Sequence, residues 1–148
     1  MKLETWAAIA SLGLSAMSAG LMISLYEFLI GPDHKGPNTQ VEPGALLVQE
    51  VSISAVPATV ISIFVFVIGR SYENLAAGML IIASGAVMIA GMAAANSLVP
   101  QIQRQYVVNG IDYFPYIFIA AGLGTIGLGS ALSIISRKRR TQNLDDLR

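Results

Sequence analysis

Four unbroken apolar blocks, residues 6–30, 46–68, 75–95 and 114–136, constrain what this chain can fold into more than any other feature. A hydrocarbon core about 30 Å thick takes roughly 20 helical residues to cross, and each block is that long. Backbone in contact with lipid must satisfy its own hydrogen bonds, which leaves helices or closed barrels. The blocks are about twice the length of barrel strands and show no polar–apolar alternation. The fold class is therefore all-α, an integral membrane four-helix bundle, with residues 1–148 forming a single transmembrane domain. Composition agrees, at 54% hydrophobic against 12% charged residues.

The first block begins like a secretory signal, with a basic Lys2 and small residues over Ser15, Ala16, Met17, Ser18 and Ala19. The apolar run continues to Ile30, so the segment is expected to remain as a span. Lys and Arg then fix the expected orientation. An even number of spans puts both termini and the 69–74 connection on one side. That side collects Lys2, Arg70, Arg137, Lys138, Arg139, Arg140 and Arg148, and leaves Lys35 and Arg104 for the other. Both termini are thus expected to be cytoplasmic, in a multi-pass protein of the plasma membrane. Trp6 falls at the inner boundary, and Tyr26, Phe28, Tyr106, Tyr113, Phe114 and Tyr116 near the outer one, as an aromatic belt requires.

The short 69–74 connection predicts that the second and third spans are antiparallel neighbours. Residues 31–45 form an outer loop stiffened by "GPDHKGP" and by Glu42-Pro43-Gly44. In the second outer loop, residues 96–113, a short interfacial helix is expected, with Ile102, Tyr106 and Val107 toward lipid and Gln101, Arg104 and Gln105 toward water. Asn109-Gly110 would turn the chain into the last span. No internal repeat is evident.

The net charge of zero, nine basic against nine acidic residues, gives no footprint for nucleic acid. The absence of cysteine excludes disulfides and thiolate metal sites on this chain. Gly122, Gly124 and Gly127 have the G-x-G-x-x-G spacing of a dinucleotide cradle, but that motif needs a preceding strand and an opening helix. Here the glycines lie in mid-span. Asp33, His34, Glu27 and Glu42 offer too few ligands for copper or zinc. No nucleophile–base pair is spaced for catalysis. The chain is expected to carry no cofactor and not to be an enzyme by itself.

Helices in lipid associate by close packing, which small residues permit. Projected at 100° per residue, the last span places Ala120, Gly124, Gly127 and Ala131 on one stripe and Gly122, Thr125, Gly129 and Ser133 on the opposite one. The third span carries Ala76, Ala83, Ala90 and Ala94, with Ala77, Ser84, Gly91 and Ala95 beside them. The first divides into Ala8, Ser11, Ser15, Ser18 and Gly13, Ala16, Gly20, Ser24. A bundle needs one inward face per helix, so the second faces are expected to meet other integral membrane subunits. The second span is bulky and β-branched from Val60 to Ile68, which suits lipid, and Pro57 is expected to kink it.

Glu50 and Glu27 lie about one turn below the outer boundary of their spans. One reading makes them a proton or cation site, with His34 nearby as a proton acceptor. The other leaves both in the headgroup zone, paired with Arg104 or Lys35. At the other end, Arg137, Lys138, Arg139 and Arg140 are expected to contact anionic lipid or a partner, and residues 143–148 to dock on a neighbouring chain.

The start "MKLETWAAIASLGLSAMSAG", the outer "GPDHKGP" and the stop "RKRR" give the chain an organisation that resembles the small, cysteine-free, four-span accessory subunits of archaeal membrane enzyme complexes, particularly those accompanying archaeal ammonia monooxygenase. The resemblance spans the whole chain. It implies copper chemistry elsewhere in the complex and a scaffolding role here, with no catalytic residue to carry over. The small multidrug transporters also have four short helices, but their membrane glutamate lies mid-span in the first, where this chain has Leu14, Ser15, Ala16 and Met17. Function is accordingly expected to be that of a non-catalytic membrane subunit, with a small oligomeric proton- or cation-coupled transporter using Glu50 as the alternative.

Overall fold

The computed structural model describes residues 3–37, 39–71, 74–107 and 110–145, with backbone alone for Asp33 and residues 143–145. All regular structure among these residues is helical. Four helical segments are long and apolar enough to cross a membrane: Leu3–Ile30, Pro43–Gly69, Leu75–Gln101 and Phe114–Gln142.

The first is one continuous helix, α1 (Leu3–Ile30). The second is composite: α2 (Pro43–Glu50), a π turn over Val51–Ala55, and α3 (Val56–Gly69). Pro43 opens α2, where its missing N–H has no intrahelical partner to lose. Pro57 cannot donate to the helical ladder, and the wide turn directly before it takes up the mismatch. The kink expected at Pro57 is thus realised as a π turn upstream. In the third span, α4 (Leu75–Leu98), the Asn74 side chain caps the start by accepting from the Ala77 amide at 3.2 Å.

The last helix, α5 (Phe114–Asp145), does not stop at residue 136. It runs on through the basic cluster, because Arg and Lys are good helix formers and no Gly or Pro interrupts them. Within that extension Arg139 Nη1 donates to the Ser71 carbonyl at 2.9 Å. Asn74 Nδ2 donates to Thr5 Oγ1 at 2.8 Å. These bonds gather the start of α1, the 69–74 connection and the end of α5 at one end of the bundle, termed proximal. The loops before α2 and before α5 meet at the distal end, where Gln103 Nε2 donates to the His34 carbonyl at 2.6 Å.

Helix α4 is gripped from two sides. Against α5 it runs antiparallel, with Gly85 opposite Gly122 and Gly78 opposite Gly129. A Cβ built on Gly85 would lie 2.6 Å from the Gly122 carbonyl oxygen, and one on Gly129 would lie 2.8 Å from that of Gly78. Only glycine permits this approach at either position. Against α1 it runs parallel, since Thr5–Asn74, Ser11–Ser84 and Ala19–Gly91 pairs advance together along both helices.

The second span rests mainly on α1 and, more lightly, on α5, and it barely touches α4. The second and third spans are antiparallel as the short 69–74 connection predicts, and Val65 of α3 shares a cluster with Ala77 and Ile81 of α4, but their contact is sparse beside that of α4 with α1 and α5. The small residues of α4 are already occupied by α1 and α5. The inward face of α3 is Ala58, Ser62, Val65 and Gly69, and its bulky Val60, Ile63, Phe64 and Val67 face outward as expected for a lipid surface.

Two apolar clusters fill the interior. The proximal one joins Ala8, Val65, Ala77, Ile81 and Leu132, and the distal one centres on Met22, Tyr26, Leu29, Leu47, Met88 and Met92. Between them lies a layer of serines. Ser15 and Ser84 are 2.8 Å apart, Ser84 and Ser11 3.0 Å, and Ser11 and Ser62 2.7 Å, while the Ser62 hydroxyl donates to the Ala58 carbonyl at 2.9 Å. Each hydroxyl can donate to the next, so the chain ends on a carbonyl and ties α1, α3 and α4 together without an unsatisfied donor.

Distally, two expectations are corrected. Residues 99–106 form two 3₁₀ turns, Val99–Gln101 and Arg104–Tyr106, instead of one interfacial helix, and Ile102 is buried in the distal cluster instead of facing lipid. Tyr26 is fully buried and does not join an aromatic belt; its hydroxyl donates to the Ile111 carbonyl at 3.0 Å, which pins the last loop to α1. Asn109 lies outside the described residues, but Gly110, at φ 110°, does begin the turn into α5.

The Gly85→Leu and Gly122→Leu variants are expected to lose about 1–3 kcal/mol of stability by overpacking. Gly13→Leu, where a Cβ meets nothing within 4 Å, should leave stability unchanged or slightly raised. Reversible unfolding in bicelles compares the three.

Candidate functional site

Between the distal half of α1 and α2 lies an open groove of about 500 Å³. Leu21, Ser24, Leu25 and Phe28 of α1 form one wall, and Val41, Leu46, Gln49, Glu50 and Ile53 the other. The groove lies on the outside of the bundle, for Leu21, Phe28 and Ile53 are all exposed.

Glu50 is the last residue of α2 and directly precedes the π turn. Seven residues beyond Pro43, at about 1.5 Å each, it sits roughly 10 Å into the span. Burial follows from the wide turn: Glu50, Val51, Ser54 and Ala55 all point inward, with Ser54 Oγ donating to the Glu50 carbonyl at 2.8 Å. The side chain is 7% exposed, and its Oε1 has no hydrogen-bond partner. Pairing of that oxygen with Arg104 or Lys35 is not seen. Burying a carboxyl oxygen without a partner is costly, which makes Glu50 the least reconciled polar group in the distal half.

Glu27 is exposed and borders a separate recess of about 390 Å³ with Gly31, Pro32, Pro37 and Thr39. The two glutamates proposed as one proton or cation site thus line two different cavities that have Phe28 in common. His34 and Glu42 are exposed, and His34 adopts φ 56° at the end of the Pro32–His34 turn. Among the described residues no group of three His, Asp or Glu side chains comes together as metal ligands would.

Of the residues singled out for helix packing, Gly122 and Gly129 lie in the α4–α5 seam. Gly124 and Gly127 face outward with nothing within 4 Å of a built Cβ. Ala120 and Ala90 are exposed, and Ala83 and Ala131 half-buried. Their counterparts in the seam, Gly78 and Gly85, escaped the sequence reading. The available signal was an identical sevenfold glycine spacing in α4 and α5. Arg137, Lys138, Arg139 and Arg140 are exposed on the proximal extension of α5; residues 146–148, and the side chains of 143–145, lie outside the described residues.

Fold and groove together define an all-helical bundle whose four main helical segments are long and apolar enough to cross a membrane, with a carboxyl-bearing groove between the first two. No protein family, curated protein or solved structure compared with the chain matches it.

An unpartnered buried carboxyl detracts from stability, so Glu50→Leu is expected to leave the fold as stable as before or to raise it by about 1 kcal/mol. A loss of that size in bicelle unfolding would instead give Glu50 a structural role.

Proposed function

We propose that the chain is a non-catalytic integral membrane subunit that packs against and stabilises other chains of a larger membrane complex. One observation carries this reading: the small residues of three helices divide between the bundle and its surface. On α1, Ala8, Ser11, Ser15 and Ser18 are buried, whereas Gly13, Ala16, Gly20 and Ser24 are exposed. On α4, Ala77, Ser84, Gly91 and Ala95 are buried, whereas Ala76, Ala90 and Ala94 are exposed. On α5, Gly122, Thr125 and Gly129 are buried, whereas Ala120, Gly124 and Gly127 are exposed. Outward glycine lets a further helix approach closely, as lipid does not require.

The resemblance in organisation makes archaeal ammonia monooxygenase the complex to test first, with its copper chemistry on other chains and no cofactor on this one. The protein is read as one of the plasma membrane; the distribution of Lys and Arg supports cytoplasmic termini, with Arg137, Lys138 and Arg140 toward anionic lipid or a partner. A second reading, an oligomeric proton- or cation-coupled transporter, is favoured by the burial of Glu50. Against it, transport carboxylates normally sit near the midplane, where this bundle has its serine layer.

Gly124→Leu and Gly127→Leu are expected to insert and fold normally but to copurify with far less of the partner chains after gentle solubilisation. Unchanged amounts of the same partners, or a particle no larger than a homodimer, would sink the assembly reading. For topology, the absence of cysteine permits single-cysteine labelling: Thr39→Cys should react with an impermeant maleimide from outside intact cells, and Thr141→Cys only after permeabilisation.

A further inference from the structure

The groove holds a combination that neither lipid nor the rest of the chain explains. Its walls are mostly apolar and on the bundle's surface, yet Glu50 lines it, more than nine-tenths buried and with Oε1 unpartnered. None of the side chains that line it is cationic. A terminal carboxyl torsion is broad and roughly two-fold, so a small rotation presents either oxygen to the groove. Ser24 and Gln49 supply further hydrogen-bonding groups on the two walls.

Three kinds of occupant can be weighed by chemistry. A divalent cation needs about six oxygen ligands and here meets one carboxyl group. A phospholipid acyl chain suits Leu21, Leu25 and Ile53 but leaves the carboxyl oxygen without a partner, and an anionic headgroup is repelled by it. A protonated amine with an apolar tail satisfies both halves: its N–H groups complete the carboxylate, and its tail covers the apolar walls. A volume of about 500 Å³ falls within the range of small-molecule pockets.

We propose that the groove between α1 and α2 is a binding site for an amphiphilic ammonium ion, a primary amine carrying an alkyl or aryl tail, held by Glu50. The amine enters from the distal surface past Phe28 and Ile53, places its ammonium group against the carboxylate, and lays its tail along Leu21 and Leu25. Glu27, which lines the separate recess, is not part of the site. The groove lies apart from the glycine stripe of α5 and shares only Ser24 with the outward small-residue face of α1, so the chain studied alone tests the site separately from the assembly reading.

The test uses the full chain in phosphatidylcholine nanodiscs, with empty nanodiscs as control, and octylammonium and 1-octanol as probes of equal tail length. A charge-assisted hydrogen bond in a groove of this kind corresponds to about a 10- to 100-fold preference for the ammonium. Glu50→Gln is expected to bring octylammonium down to the affinity of octanol, and Glu27→Gln to leave the preference intact. Ile53→Trp, at an exposed position where a larger ring does not disturb the core, should weaken both probes. Equal binding of the two probes by the parent chain overturns the proposal, as does a preference that survives Glu50→Gln or vanishes with Glu27→Gln. If Glu50→Gln does not fold, Ile53→Trp decides: undiminished octylammonium binding there places the ammonium outside the groove. Retention of phospholipid that Ile53→Trp displaces, with no ammonium preference, identifies a lipid slot and likewise refutes the amine site.

Discussion

The close approach of backbones along α4 is the interaction on which the rest of this bundle depends. In hydrocarbon no hydrophobic force drives helices together, so contact density has to do it. Gly78 and Gly85 let α5 come in until carbonyl oxygens lie where a Cβ would stand, and Gly91 does the same for Ala19 of α1. With α4 committed on both sides, the second span takes what remains, a shallow seat on α1 and α5. Sequence neighbours thus give way to the pairs with the smallest side chains at matching heights.

Polar groups follow the same order. Where helices are close, the hydroxyls of Ser11, Ser15, Ser62 and Ser84 find one another and share donors along a chain. Above that layer Pro57 interrupts the ladder, the π turn widens the helix, and a groove lies between α1 and α2. The single least satisfied carboxyl of the distal half sits at that point. Unpartnered buried polar atoms occur at both ends, Glu4 Oε2, Ser133 Oγ and Ser136 Oγ proximally and Glu50 Oε1 distally, but only Glu50 has an open groove beside it.

The spans were legible in the sequence because length and apolarity determine them locally, and the stripes of α1 and α5 because a helix fixes its own faces. What the sequence hid is what depends on a second element. Gly78 and Gly85 become a seam only when set against Gly129 and Gly122, and projection of α4 alone gave the alanines more weight. Ile102 and Tyr26 looked like interfacial residues by type, but each is claimed by a partner from another element, the distal cluster and the Ile111 carbonyl. Glu50 was recognisable as an anomaly, since a carboxylate within a span is rare. The groove beside it was not, because it arises from the π turn, and one proline does not specify how the chain accommodates it.

The division of small residues bears on assembly through helix energetics as well as geometry. Glycine inside a helix costs about 1 kcal/mol relative to alanine. In the seam, Gly78, Gly85, Gly122 and Gly129 offset that cost with backbone contact inside the chain. Gly13, Gly20, Gly124 and Gly127 have no such contact, for a Cβ at each would meet nothing within 4 Å. Lipid tails give them no compensation, since they pack as well against leucine or valine, as the exposed face of α3 illustrates. The same residue type therefore stabilises the bundle at four positions and burdens it at four others. A helix from another chain packed on α1 and α5 would convert the second set into the equivalent of the first, and that asymmetry is the physical ground for the proposal that this protein packs within a larger membrane assembly.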